Sequence, residues 1–152
     1  MASRTFAPLG YDIRGSESVL ALRRELRHLC ARLTDRVVVK CEFQRSVVSF
    51  TFDDFPRTAL EIGGRILEDA GVRGTYYVSF GLAGKKTDVG VIESLDDLAG
   101  PRIRGHELAC HTFDHFDCEE VPSEWISRSL DHNQKVAINL GLKPLSKFCL
   151  PM

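Results

Sequence analysis

Apolar residues recur every three or four positions at Val19, Leu22, Leu26, Leu29 and Leu33, while Arg23, Arg24, Glu25, Arg27 and Arg32 fall largely on the opposite side. At 3.6 residues per turn this spacing predicts an amphipathic helix whose apolar stripe packs on a sheet, a barrel end or a second copy of the chain. The period then changes. Within 46–52, Val48, Phe50 and Phe52 share one face, and Val47, Ser49, Thr51 and then Asp53 share the other, which predicts a strand. Its bulky residues would turn towards helices, its small polar ones towards a site, and Pro56 would end its ladder. Helical periodicity returns at Leu60, Ile62, Ile66, Leu67 and Ala70, with Gly71 suited to the C-terminal cap. Gly63 and Gly64 inside that helix each cost about 1 kcal/mol relative to alanine, which points to close packing against a strand.

A turn at Gly71-Val72-Arg73-Gly74 leads to a second predicted strand over 75–80, and a third is predicted over 106–110. Beyond Pro122, with Ser123 as candidate cap, Trp125, Ile126, Leu130, Ala137 and Leu140 mark a further helix ending at Gly141, and 147–150 could open a fourth strand. Strand, helix and strand in alternation mean parallel crossovers and an α/β fold with reactive groups at the carboxyl ends of its strands.

The chain has 152 residues, enough for one core. Residues 1–45 form an N-terminal extension with the amphipathic helix, and 46–152 an α/β domain. The formal net charge is −1 and no basic run is interleaved with aromatics, which argues against a nucleic-acid partner. No apolar stretch approaches the roughly 20 residues that span a bilayer, and the first ten lack the pattern of a secretory signal, so a cytoplasmic protein is expected. Five cysteines without a Cys-x-x-Cys pair suit reduced thiols.

Chemistry concentrates in two segments. Asp53 and Asp54 close the first strand, and His111-Thr112-Phe113-Asp114-His115 follow the third. Histidines at i and i+4 share one side of a helical turn, so His111 and His115 with Asp54 could offer three ligands to a divalent ion and leave a position for water, with Asp53 as the neighbouring base. Structural alternatives stand beside this: two aspartates often open a loop, and a histidine pair often binds nothing. A second metal reading uses Cys110, His111, His115 and Cys118, although Cys110 would point away from His111 along a strand.

Three stretches, Ser49-Phe50-Thr51-Phe52-Asp53-Asp54, Gly71-Val72-Arg73-Gly74-Thr75-Tyr76-Tyr77-Val78 and Gly105-His106-Glu107-Leu108-Ala109-Cys110-His111-Thr112-Phe113-Asp114-His115, resemble in order and spacing the polysaccharide deacetylases, carbohydrate esterase family 4. The resemblance implies a distorted (β/α)7 barrel, Asp53 as catalytic base, and Asp54, His111 and His115 as ligands to zinc, or to cobalt or iron. The substrate would be an acetylated oligo- or polysaccharide that loses N- or O-acetyl groups. Phe148-Cys149-Leu150-Pro151-Met152 looks like the start of the family's third motif, which assigns Pro151 and Met152 to the oxyanion and substrate region. The later motifs, with a histidine as general acid, have no counterpart. An incomplete barrel is therefore expected: a truncated product, a half-barrel paired with another copy through its open edge or the 19–33 helix, or a noncatalytic metal-binding or assembly module.

Overall fold

In a computed structural model the chain is described over residues 17–34, 40, 42, 45–98 and 103–151, and it divides into two units, Met1–Gln44 and Arg45–Met152. The first holds α1 (Glu17–Thr34), the helix expected from the leucine spacing. Val19, Leu22, Leu26, Leu29 and Leu33 are all exposed on it.

The second unit runs through β1 (Thr51–Phe52), a widened π-type stretch (Ala59–Gly64) continuing into α2 (Arg65–Asp69), and β2 (Thr75–Val78). A 3₁₀ turn (Phe80–Leu82), an antiparallel hairpin of β3 (Lys86–Thr87) and β4 (Gly90–Val91), and the short α3 (Leu95–Leu98) lead to β5 (Glu107–Cys110) and α4 (Ser123–Asn139). β1, β2 and β5 form a parallel sheet in that order, registered Phe52 with Tyr76 and Tyr76 with Leu108. A single parallel bridge from Cys110 to Phe148 adds the beginning of a fourth strand, made by Cys110 N–H to the Lys147 carbonyl (2.8 Å) and Cys149 N–H to the Cys110 carbonyl (3.0 Å). Among the described residues this is an α/β unit with a parallel sheet.

The core lies between the sheet and its helices. Phe55, Leu60, Tyr76, Val78, Phe80, Leu98 and Ala137 are buried together, and the Tyr76 ring stacks on Phe52 at 4.8 Å. Close packing explains the paired glycines. A Cβ on Gly63 would stand 2.9 Å from the Phe52 ring, and one on Gly64 would stand 3.0 Å from the Tyr76 hydroxyl. Both glycines end their helices as expected. Gly71 and Gly141 take positive φ, and in each case the next amide reaches back five residues, Val72 to the Leu67 carbonyl and Leu142 to the Ala137 carbonyl, closing Schellman turns.

Two boundaries differ from expectation. The first strand is regular only over Thr51–Phe52, although the Phe50 carbonyl still accepts the Thr75 amide at 2.9 Å. Val47 and Val48 are 68% and 75% exposed, because among the described residues β1 has a neighbour on one side only and nothing covers 46–49. Ser123 does not cap α4. Pro122 takes that position with φ −59° and ψ 143°, its carbonyl accepts the Trp125 amide, and no side chain caps the turn. No described helix is long and apolar enough to cross a membrane.

Candidate metal centre

The sheet delivers its chemistry at the carboxyl ends of β1 and β5. Past Phe52 the chain turns sharply: Asp54 and Phe55 both adopt left-handed backbone (φ 61° and 56°), and the Phe55 amide bonds to the Asp53 carbonyl at 2.7 Å. This turn sinks the fully buried Phe55 ring against Tyr76, with centroids 4.7 Å apart. Asp54 is left half-buried over the strand ends, and Asp53 is exposed.

At the end of β5 the His111 amide continues the ladder to the Val78 carbonyl at 3.1 Å, and the residue is buried, 3% exposed. The helical turn expected between His111 and His115 is absent. Thr112 (φ 60°) and His115 (φ 55°) are both left-handed, and the loop closes through the His115 amide donating to Thr112 Oγ1 at 3.1 Å. A β-branched residue in that region is strained. A kinked loop, in place of helical periodicity, thus brings the two imidazoles edge to face with centroids 5.1 Å apart.

Asp54 joins them. Its Oδ1 lies 2.6 Å from His115 Nε2 and 3.5 Å from His111 Nε2, and one ligand atom from each of the three residues falls within 4.8 Å of the others. Those two approaches hold the Asp54 carboxyl well below the usual carboxylate range, and Asp54 in turn raises the His115 pKa. Yet Oδ1 is buried without an aligned hydrogen bond. A close N···O approach off the N–H axis is what results when donor atoms aim at a shared point and not at one another. The donor set of one carboxylate and two imidazoles, with an orphaned buried oxygen among them, fits a divalent ion of the zinc type.

His111 is oriented from behind. Its Nδ1 is 3.0 Å from the Cys149 carbonyl, so Nδ1 carries a hydrogen and Nε2 is the nitrogen turned towards Asp54. The Asp53 charge contributes to the raised His115 pKa after Asp54, and it adds to burial in raising the Cys149 thiol. Asp53, next in sequence to Asp54, is exposed and is not among the three grouped residues.

The four-residue cysteine alternative does not assemble. Cys110 is buried, its pKa is raised by desolvation, and Cys118 Sγ approaches the Phe116 carbonyl at 3.6 Å. Among the described residues the only metal-competent group is Asp54, His111 and His115. Pro151 is buried and its carbonyl accepts the Cys118 amide at 3.4 Å, whereas Met152 lies outside the described residues. Sequence reasoning missed two supports. One is the Cys149 carbonyl, which no side-chain pattern announces. The other is Gly81, whose amide bonds the Phe113 carbonyl at 3.0 Å and where a Cβ would stand 2.4 Å from that oxygen. A glycine in the loop directly after β2 was the available signal.

Comparison with known proteins follows the same outline. The sequence profile of the family described as polysaccharide deacetylase matches residues 40–152. Among solved structures the chain resembles IcaB from Ammonifex degensii (16% identity, TM-score 0.63, covering 85% of this chain and 66% of that one). It also resembles the Xyl-CE4 domain of a multidomain xylanase from the hindgut metagenome of Trinervitermes trinervoides (23% identity, TM-score 0.52, covering 68% and 47%). At those identities the likeness is one of fold, and the chain spans 66% and 47% of the two structures. No protein of curated function matches it. With the family profile extending over most of the chain, from residue 40 through both chemical segments, the chain belongs to the polysaccharide deacetylase family.

Proposed function

We propose that this chain carries the metal-binding and base-bearing part of a hydrolase that removes acetyl groups from a carbohydrate, in a fold of the (β/α)7 barrel type. The observation that carries the reading is the meeting of Asp54, His111 and His115 at the carboxyl ends of parallel strands, with Asp53 alongside.

A bound divalent ion would polarise the acetyl carbonyl and acidify water at the site. The residues do the rest. Asp54 supplies a carboxylate oxygen to the group, and His111 presents Nε2 because its Nδ1 hydrogen is committed to the Cys149 carbonyl. Asp53 is the exposed carboxylate able to accept the proton of the attacking water. Attack forms the new C–O bond, the acyl C–N or C–O bond breaks, the proton that Asp53 took from the water passes to the departing nitrogen or oxygen, and acetate is released from a sugar left with an amine or hydroxyl.

The test is metal analysis of protein purified without chelator or polyhistidine tag, coupled to acetate release from acetylated chitooligosaccharide and xylan. About one ion per chain is expected, with metal-dependent acetate release that is slow because no histidine matches the family's general acid. An ion without acetate release would favour the second reading, a noncatalytic metal-binding module. No ion would overturn both.

A further inference from the structure

We infer that Ser129 and Asn133 of α4 are positioning residues for the two histidine ligands. The inference rests on the metal-site reading above. One helical turn apart, both are buried against the sheet, at 2% and 0% exposure. Their polar groups are spent on the backbone around the histidines.

Ser129 Oγ accepts the amides of Phe113 (2.9 Å) and Asp114 (3.0 Å) and donates to Asp114 Oδ2 (2.7 Å). A serine hydroxyl has one proton and two lone pairs, so its whole capacity goes to the loop between His111 and His115. Asn133 acts one turn later on the strand ends. Its Oδ1 accepts the Phe80 amide (3.0 Å), and its Nδ2 donates to the Val78 carbonyl (2.8 Å) and to Cys110 Sγ (3.2 Å). Rotating the amide by half a turn would set donor against donor and acceptor against acceptor, so its orientation is fixed. Val78 is the carbonyl that also receives the His111 amide, and Cys110 is the residue directly before His111.

Such a clamp has a reason to exist. Thr112 and His115 are non-glycine residues in left-handed backbone, a conformation that persists only where surroundings over-determine it. Ser129 fixes the middle of the loop and Asn133 its root. The same helix brings His132 onto the Phe113 ring, stacked at 3.7 Å.

A merely structural helix makes a different prediction. Ala137 is fully buried on α4 within the core cluster, so Ala137→Gly weakens the helix without touching the loop. The experiment uses the full chain and cobalt(II) as probe, with affinity from competition titration and site geometry from the cobalt absorption bands. Ser129→Ala should weaken cobalt binding about 10- to 100-fold and shift the bands, Asn133→Ala should act in the same direction, and Ser129→Thr should restore binding. Ala137→Gly should lower the unfolding temperature while leaving affinity within about twofold. Unchanged binding in Ser129→Ala, or equal loss in Ala137→Gly, would overturn the inference. If the parent chain takes no cobalt, the metal reading is what fails. Amide hydrogen exchange then decides the positioning role, because faster exchange at 113–115 in Ser129→Ala alone supports it and equal exchange in both variants sinks it.

Discussion

The Cys149 carbonyl oxygen accepts the Nδ1 hydrogen of His111 at 3.0 Å, across 38 residues of sequence. The bond sets a hydrogen on Nδ1 and leaves Nε2 to face the site, so a backbone atom of the fourth-strand segment takes part in orienting a candidate ligand at the end of β5.

Replacing His111 or His115 by alanine should abolish metal binding, since two remaining donors do not make a zinc-type site. Metal content by emission spectrometry checks this. Stoichiometric metal in the double variant would redirect attention to the cysteines.

The two neighbouring aspartates should separate. Asp53→Asn is expected to keep the ion and lose about 10²- to 10⁴-fold in turnover, the usual worth of a general base, whereas Asp54→Asn should lower the affinity itself. Titration of metal alongside acetate assays distinguishes them. Equal metal loss from both would remove Asp53 from its role as base.

Gly81→Ala should damage the site from outside it. The new Cβ would meet the Phe113 carbonyl at 2.4 Å, and that oxygen belongs to backbone that cannot step aside cheaply. A stability loss of about 1–3 kcal/mol and weaker metal binding are expected, read by denaturant unfolding and by titration. A variant with parental behaviour in both would show that the loop is not held there.

Acid should expose the other end of the sheet. Glu68 accepts hydrogen bonds from Arg104 Nε (2.7 Å) and His106 Nε2 (2.9 Å), and His106 Nδ1 accepts the Gly74 amide (3.0 Å). Arg104 first, then His106, lowers the Glu68 pKa below its ordinary 4.5. A carboxyl depressed on folding adds stability above its unfolded pKa and loses it as pH falls through the folded value. The stability advantage of the parent over Glu68→Gln should therefore shrink on going from about pH 6 to about pH 3, by a small and salt-sensitive amount because the pair is partly exposed. Thermal unfolding of both across that range is the measurement. An advantage that grows on acidification would contradict it.

Much of this architecture is legible in side-chain patterns. The Thr51–Phe52 end of the first strand, the helical spacing before Gly71 and before Gly141, and the paired glycines against Phe52 and Tyr76 all act through periodicity or bulk, which sequence displays directly, whereas the alternation over 46–50 does not bury Val48 or Phe50. Asp54, His111 and His115 fall at strand ends by the same logic, and they do lie together. The route by which they meet was not legible. An i, i+4 spacing suggests a helix, but Thr112 and His115 are left-handed, a conformation that β-branched Thr112 strongly disfavours and that tertiary contacts must impose. Nor could the pattern reveal the Cys149 carbonyl, since every residue has one. The exposure of Val47 and Val48 depends on what lies beside β1, which local alternation does not encode.

The candidate ligands come from the ends of β1 and β5, while β2 between them supplies none. An ion bound there would act as a reversible staple across the whole width of the three-stranded sheet, joining segments distant in sequence. Loading it would favour the assembled sheet by mass action, and chelation would loosen first the contact between outer strands that no direct ladder connects.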